Sequence, residues 1–509
     1  MSLLGIDVGT SGCKSVLFSA EGAIIGTAYA EYDIKRPRAE AMELDPHEVW
    51  QAVLSTIAKA VAAGRTDPCR ALCVTSMGEA FVPVSSAREI LGPSILLSDP
   101  RGSEHLAALR SNLTDEECYA ISGNPVGSQY GLTKLMWVLN HEPEVYRRTY
   151  KFLNWSGFVA FMLGAEPTVD FTLANRDLLF DIRREDWSTR LLSVAGIDIE
   201  KLPRCVAPGT PLGQVASRIA SEVGLPRSTL IVAGSHDQCA NALGCGAIKA
   251  GQAMYGMGTF PTIVPIFDAI PEAKAMIASG LNTEHHAIAG RYVSFLYHMG
   301  GAAVKWYRDT FAAAEHSAAG SAGDDRYSAL FSELPSEPGP LLVLPHLYPT
   351  GPPDFLSDSA GVILGLHGDT RRGAILKAIL EANAFALKIP VENLKPAGFS
   401  LESFKAVGGG SRSDAAVQIF AYIFNRPFQR PTVTEAGALG AAILAGVAAE
   451  VYASPETAVE QTVHAGRRFE PDVRRSARYG ELYGEYLEFA KLVTPFARRW
   501  TRAKSLDQA

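Results

Sequence analysis

Three observations predict an α/β chain built as two related domains that face each other across a cleft. The chain has 509 residues, more than one ordinary core holds. It opens with an apolar run, a Gly-Thr turn and a second apolar run between Met1 and Ser19. The same pattern returns between Gln252 and Phe267, where Gly258-Thr259 stands close to half the chain beyond Gly9-Thr10. Gly-Thr alone carries little, since Gly26-Thr27 and Gly209-Thr210 also occur. The signal is the strand-turn-strand context at both places together with the half-chain period.

Composition narrows the chemistry. A formal net charge of −7 gives no general electrostatic reason to bind nucleic acid or an anionic membrane, so an anionic ligand needs a local site. Cys13, Cys69, Cys73, Cys118, Cys205, Cys239 and Cys245 form no CxxC pair and no zinc-like cluster, which fits reduced, mostly buried thiols of a cytosolic protein. No signal peptide is evident. The longest apolar run, Ala436 to Ala449, falls short of the ~20 residues that span a bilayer and reads as a buried helix.

Taken in order, Leu3, Leu4, Ile6 and Val8 make the first strand, with Asp7 near its end. The turn that follows offers glycine N–H groups, Thr10, Ser11 and then Lys14. Such a turn either holds phosphate oxygens while the aspartate faces a metal, or is a plain hairpin turn. Ala23 to Tyr32 is a third extended run. Asp45 is placed to cap a helix with Pro46 in its first turn, running through Trp50, Leu54, Ile57 and Val61. Ala71 to Ser76 is a buried strand that leads into Met77-Gly78-Glu79-Ala80, and Phe81 to Val84 is another strand. Glu79 is either a hydroxyl-binding acid at a strand mouth or a solvated turn glutamate. Asp99 and Arg101 either line one cleft or pair with each other. Thr133 to Leu139, with Lys134 and Trp137, and a helix over Trp155 to Leu163 follow. The proline-punctuated stretch from Asp177 to Gly213 reads as an elaboration on the first domain, without chemistry of its own.

Thr229 to Ala233 is a buried strand running into Gly234-Ser235-His236-Asp237-Gln238, and Ala240 to Ile248 suits a packed helix. Open α/β sheets present catalytic side chains in this way. Asp237 near a helix N-terminus is also what a capping aspartate looks like. Gly244-Cys245-Gly246 follows no strand and is a poor dinucleotide signature, and no GxxxxGK[ST] loop exists. In the second half, Gly300-Gly301-Ala302 leads into a helix with Trp306. Phe404 to Val407 is a strand entering Gly408-Gly409-Gly410-Ser411-Arg412-Ser413, which is followed by helical spacing at Ala416, Val417, Phe420 and Phe424. Three glycines after a buried strand let a phosphate or flat ring approach the backbone, and a flexible turn with a serine cap fits the same letters. Gly437 to Ala442 suits close helix packing, expected against that loop. Two phosphate-type turns facing each other imply a nucleotide between the halves.

The ordered set Ile6 to Thr10, Gly234 to Gln238, Gly258-Thr259, Gly301 with Trp306, and Gly408 to Gly410 resembles the FGGY carbohydrate kinases, from Leu3 to about Ala449. Trp50, Trp137 and Glu381 also fall where members often carry such residues. The resemblance implies two ribonuclease-H-like domains of the actin/Hsp70 ATPase type flanking a nucleotide cleft, here drawn as 1–247 for sugar and catalysis and 248–509 for ATP. By match of motif, Asp237 resembles the catalytic base and Asp7 the acid that positions magnesium, through water. Thr10, Ser11, Lys14, Gly258 and Thr259 resemble phosphate-side contacts, and Gly301, Gly409, Gly410 and Ser413 would line the adenosine site. Glu79, His236, Gln238 and Arg101, with Asp237, are the substrate candidates.

The acceptor is expected to be a small sugar, a pentulose such as xylulose first, with a polyol or an aldonate as alternatives. Xylulose kinases usually show a Gln-Met-His-Gly-like stretch where this chain has Ser76-Met77-Gly78-Glu79, and glycerol kinases show Arg-Glu where it has Gly78-Glu79. A chaperone- or filament-type ATPase on the same fold is the competing class, and a sugar sensor a third. The expected setting is a cytoplasmic enzyme using ATP and Mg2+, with no nucleic acid or membrane partner; a homodimer is the assembly that symmetric soluble enzymes commonly form.

Overall fold

The computed structural model describes the chain except residues 39, 65–66, 259, 299, 314–327, 348–349, 351–355, 357 and 507–509. The first half is built on β1 (Ser2–Val8), β2 (Gly12–Ser19) and β3 (Ile24–Glu31), then helix α1 (Pro46–Ala63), β4 (Cys69–Ser76) and β5 (Leu230–Val232). β1 pairs antiparallel with β2, placing Asp7 opposite Lys14, and parallel with β4, placing Asp7 beside Thr75. β5 continues the sheet parallel to β4, with Pro211–Gln214 at its edge. Both β1 and β4 are covered on both faces, which is why they read as near-continuous apolar runs. The cap of α1 is as expected: the Asp45 carboxylate accepts from the His47 N–H at 2.9 Å.

Helix α2 (Asp237–Gly244) follows β5, and the second half repeats the plan. β6 (Gln252–Gly256) pairs antiparallel with β7 (Thr262–Phe267). After helices α3 (Gly300–Phe311) and α4 (Arg372–Glu392), β8 (Ser403–Val407) joins β6 in parallel. Helix α5 (Asp414–Phe424) leads to β9 (Phe428–Gln429), parallel to β8. Central strand, antiparallel hairpin mate and parallel neighbours thus occur in the same order in both sheets, as the sequence repeat implies.

Helix α6 (Ala436–Ala448) belongs to the second half by sequence, yet it lies on the first sheet and against α2. Small residues allow this. A Cβ on Gly5 would sit 1.8 Å from the Ala438 carbonyl oxygen, one on Gly244 1.9 Å from that of Ala436, and one on Gly440 2.0 Å from that of Ala240. The Gly437–Ala442 run therefore packs as expected, but its tightest contacts are with β1 and α2 and not with the Gly408–Gly410 loop. One apolar cluster joins Leu3, Val16 and Val232 to Met254, Val264 and Ile266 through Leu439 and Ile443. Residues around 177–213 share a separate core with Leu132, Leu135 and Phe152. All seven cysteines are free, six of them buried. No described helix is long and apolar enough to cross a membrane.

Candidate active site

Three strand ends of the first sheet meet at one edge. The Met77 N–H donates to the Val8 carbonyl at 3.0 Å, and the Thr75 hydroxyl donates to the Ser235 carbonyl at 2.7 Å. Gly234 permits the crossing, since a Cβ there would lie 1.6 Å from the Val74 oxygen. Asp7, Glu79 and Asp237 are thereby brought into one another's fields at the carboxyl ends of parallel strands, where α/β sheets place their ligands.

Asp237 is the first residue of α2, and His236, not Asp237, occupies the cap position. The Asp237 side chain is 24 % exposed, with one oxygen 3.3 Å from His236 Nε2. Burial, then the charges of Asp7 and Glu79, push its carboxyl up to about 7, against the neighbouring Gln238 amides. Burial and the Arg176 charge drive His236 well below the ordinary imidazole range. A neutral ring donating from Nε2 leaves a lone pair on Nδ1, and Nδ1 is buried without a partner among the described residues.

Glu79 is buried and adopts φ 63°, a left-handed conformation that costs a non-glycine residue about 1–3 kcal/mol and collects at functional sites. It is no solvated turn glutamate. Arg176 Nε donates to Glu79 Oε1 at 2.5 Å, and Arg176 Nη1 donates to Glu284 Oε1 at 2.5 Å. The guanidinium sits between the rings of Tyr130, 5.3 Å away, and Phe295, 5.4 Å away. Because Glu284 comes from the second half, this buried triad ties the halves together. Burial pushes Glu284 up to about 7, its Oε2 has no partner among the described residues, and burial likewise raises Glu79. A Cβ on Gly78 would lie 3.0 Å from Arg176 Cγ and 3.2 Å from His236 Cδ2, so Arg176 fills the space that a side chain at position 78 would need.

Arg101, a substrate candidate from the sequence, takes the other of its two readings. Its guanidinium donates to Asp99 at 2.9 and 2.6 Å, pairs with Glu43 at 2.7 Å and stacks over Trp137 at 4.8 Å. With its charge matched twice and its side chain 9 % exposed, it supports the 99–101 segment and does not present donors to a ligand.

On the phosphate side, Thr10 and Ser11 are exposed in the β1–β2 turn. Lys14 is engaged: its ammonium donates to Glu435 at 2.8 Å, just ahead of α6. Burial pushes Asp7 up to about 6, with Lys14 opposing and Glu435 assisting. Asp7 faces the first turn of α6, since a Cβ on Gly437 would lie 3.1 Å from its Oδ2 and 3.4 Å from Asn241 Oδ1. A carboxylate held among other acids with a half-open face fits a hydrated divalent cation, because mutual repulsion raises their protonation and a cation relieves it.

Gly258, Gly301, Gly409, Gly410 and Ser413 line one cavity of about 840 Å3 in the second half, together with Lys305, Leu380 and Asn383. That is the size of a nucleotide-type pocket. The Gly410 N–H donates to the Met257 carbonyl at 2.9 Å, and Ser413 caps α5 by accepting from the Ala416 N–H at 3.3 Å. A Cβ on Gly258 or Gly409 would meet nothing within 4 Å, so these two backbones are open to an approaching group. Thr259 lies outside the described residues. The sequence reading missed Arg176, Glu284, Glu435 and Asn383. Arg176 stands one residue before the stretch set aside as an elaboration, Glu435 directly before the Ala436–Ala449 run and Asn383 two residues after Glu381, but no local pattern marks any of them or Glu284 as a site residue.

Comparison with known proteins identifies the family and the fold. Residues 2–244 match the model of the N-terminal domain of the FGGY family of carbohydrate kinases, and residues 283–449 match that of its C-terminal domain. A xylulose kinase of Bacillus subtilis is 26 % identical over 491 residues, covering 95 % of both chains. A gluconokinase of the same organism is 26 % identical over 500 residues, covering 96 % of both. A glycerol kinase of a Janthinobacterium strain is 29 % identical over 496 residues, covering 94 % of this chain and 96 % of its own. The crystal structure of a xyloylose kinase from Brucella ovis superposes with a TM-score of 0.86 at 26 % identity, covering 97 % of this chain and 99 % of its own. The fold is the two-domain actin/Hsp70-like ATPase fold, and the chain belongs to the FGGY family of carbohydrate kinases, sugar-directed phosphotransferases.

Proposed function

We propose that the protein transfers the γ-phosphate of ATP to a hydroxyl of a small neutral sugar, a pentulose such as xylulose in the first instance, with Asp237 as the base. The observation that carries this reading is Asp237 itself: a half-open carboxyl at a helix start, pushed up to about 7 by burial and by Asp7 and Glu79. A group titrating near neutrality takes a proton well at physiological pH. In the reaction the acceptor O–H breaks with its proton passing to Asp237, the sugar oxygen bonds to the γ-phosphorus, and the bond to the ADP oxygen breaks. Phosphoryl transfer asks for alignment and charge neutralisation more than covalent help. Asp7 would hold Mg2+ through water, and the cation when bound supplies charge neutralisation at the phosphates.

Thr10, Ser11, Gly258 and Thr259 are assigned to phosphate oxygens, with Lys14 reaching them on leaving Glu435. Gly301, Gly409, Gly410 and Ser413 are assigned to the adenosine side, and Glu79, His236 and Gln238 to sugar hydroxyls. Arg101 is left out of the contact set because its donors are already taken. The preference for a neutral acceptor over an aldonate rests on charge: Asp7, Glu79, Asp237 and Glu284 gather at the site, while Arg176 is already held by Glu79 and Glu284 and Lys14 by Glu435. An anionic acceptor would meet uncompensated acid.

We read the functional division as 1–247 and 248–509, closing on each other to exclude water when both ligands bind. The free cysteines suit a cytoplasmic setting. The test is a coupled ADP-release assay across pentuloses, hexuloses, polyols and aldonates. Highest kcat/KM for a pentulose supports the reading, and highest kcat/KM for an aldonate overturns the charge reasoning.

A further inference from the structure

The donor atoms of Glu104, His105 and His141 lie within 4.8 Å of one another. Glu104 and His105 stand on the one-turn helix Ser103–His105, and His141 ends the helix Gly131–His141. Nothing in the phosphotransfer site uses them. His105 Nε2 is shut off from solvent without a hydrogen-bond partner among the described residues, 3.8 Å from Glu104 Oε1, too far for a hydrogen bond. The His141 ring is held in orientation: it stacks on Trp137 at 5.0 Å and 12° between planes, and its Nδ1 lies 3.1 Å from the Trp137 carbonyl oxygen. A ring that donates from Nδ1 to a backbone carbonyl carries its lone pair on Nε2, the arrangement that fixes metal-ligating histidines.

We infer that Glu104, His105 and His141 form a binding site for a divalent transition metal such as Zn2+. Two imidazoles and one carboxylate suit zinc, cobalt or nickel and not magnesium, which prefers all-oxygen sites. Three protein ligands leave a position for water. The ion fastens the turn at 103–105 to the end of the helix whose Lys134 already holds the preceding segment, donating to the carbonyls of Asp99 and Arg101 at 2.5 and 2.9 Å. Its role is therefore to stiffen the segment bearing Arg101, whose guanidinium packs over Trp137, the ring on which His141 stacks.

The test is a titration of the metal-stripped full-length protein with Zn2+ alone, without nucleotide, by calorimetry and thermal melting, alongside Glu104→Gln, His105→Ala and His141→Ala. Glu104 and His141 are exposed, so two of the three variants remove no packed core. The expected result is one equivalent bound, a metal-dependent rise in Tm, and binding weakened at least about tenfold in each variant. Co2+ should give a spectrum without thiolate charge transfer. Magnesium-supported kinase activity of His141→Ala should match wild type. No binding by the wild-type protein, affinity unchanged in His141→Ala, or a cobalt-thiolate band placing the metal on cysteine would each overturn the inference.

Discussion

Replacing Asp237 with asparagine separates chemistry from folding, because the two respond in opposite directions. Losing a general base costs about 10²–10⁴ in kcat, or about 3–5 kcal/mol of transition-state stabilisation. The wild-type carboxyl also carries a stability penalty. Its value rises from 3.8 to about 7 on folding, so its favourable contribution is complete below about pH 4 and is lost as pH climbs through 7. At alkaline pH the penalty reaches at most about 4 kcal/mol. Asp237→Asn should therefore melt at or above the wild-type temperature, by a margin that widens between about pH 4 and pH 7 and is then constant. Turnover measured by coupled ADP release should collapse while nucleotide binding stays close to wild type. The wild-type kcat/KM should rise with pH to a plateau above about pH 7, and the variant should lack that limb. A variant turning over within about tenfold of wild type, or one keeping the same acid limb, would remove Asp237 from the base role.

Five further substitutions test the surroundings. Arg176→Ala strands Glu79 and Glu284 as buried, unpaired acids, and should cost about 3–5 kcal/mol in urea unfolding; Glu284→Gln, which keeps the shape and removes a charge that burial disfavours, should cost far less. Among the glycines, Gly5→Ala and Gly244→Ala drive a methyl into a helix backbone and should destabilise by about 1–3 kcal/mol or more. Gly409→Ala has room and should leave Tm unchanged while raising the KM for ATP, as measured by initial rates.

Legibility differed by residue for physical reasons. Asp7 stands near the end of a short buried strand and Glu79 and Asp237 each follow one, and a strand end is a local signal, so their place at one sheet edge followed once the sheet was assumed. The glycines of the adenosine side were legible because close backbone approach demands glycine. Arg176 was not, because nothing around it in the sequence distinguishes it from a surface arginine. Its partners Glu79 and Glu284 lie 97 and 108 positions away. Lys14 was read as a phosphate-side contact with no sign of its ion pair, because Glu435, its partner, is 421 positions distant.

By itself the sequence determined the two-fold plan, since apolar period, turn glycines and a half-chain repeat are properties of neighbouring residues. It also determined which carboxylates stand at strand mouths. Only the tertiary structure decided which charges are spoken for. Arg101 is neutralised by Asp99 and Glu43, and Arg176 instead enters the site, into the space left beside Gly78. That decision rests on desolvation and pairing between segments far apart in the chain, and those energies exist only after the chain has packed.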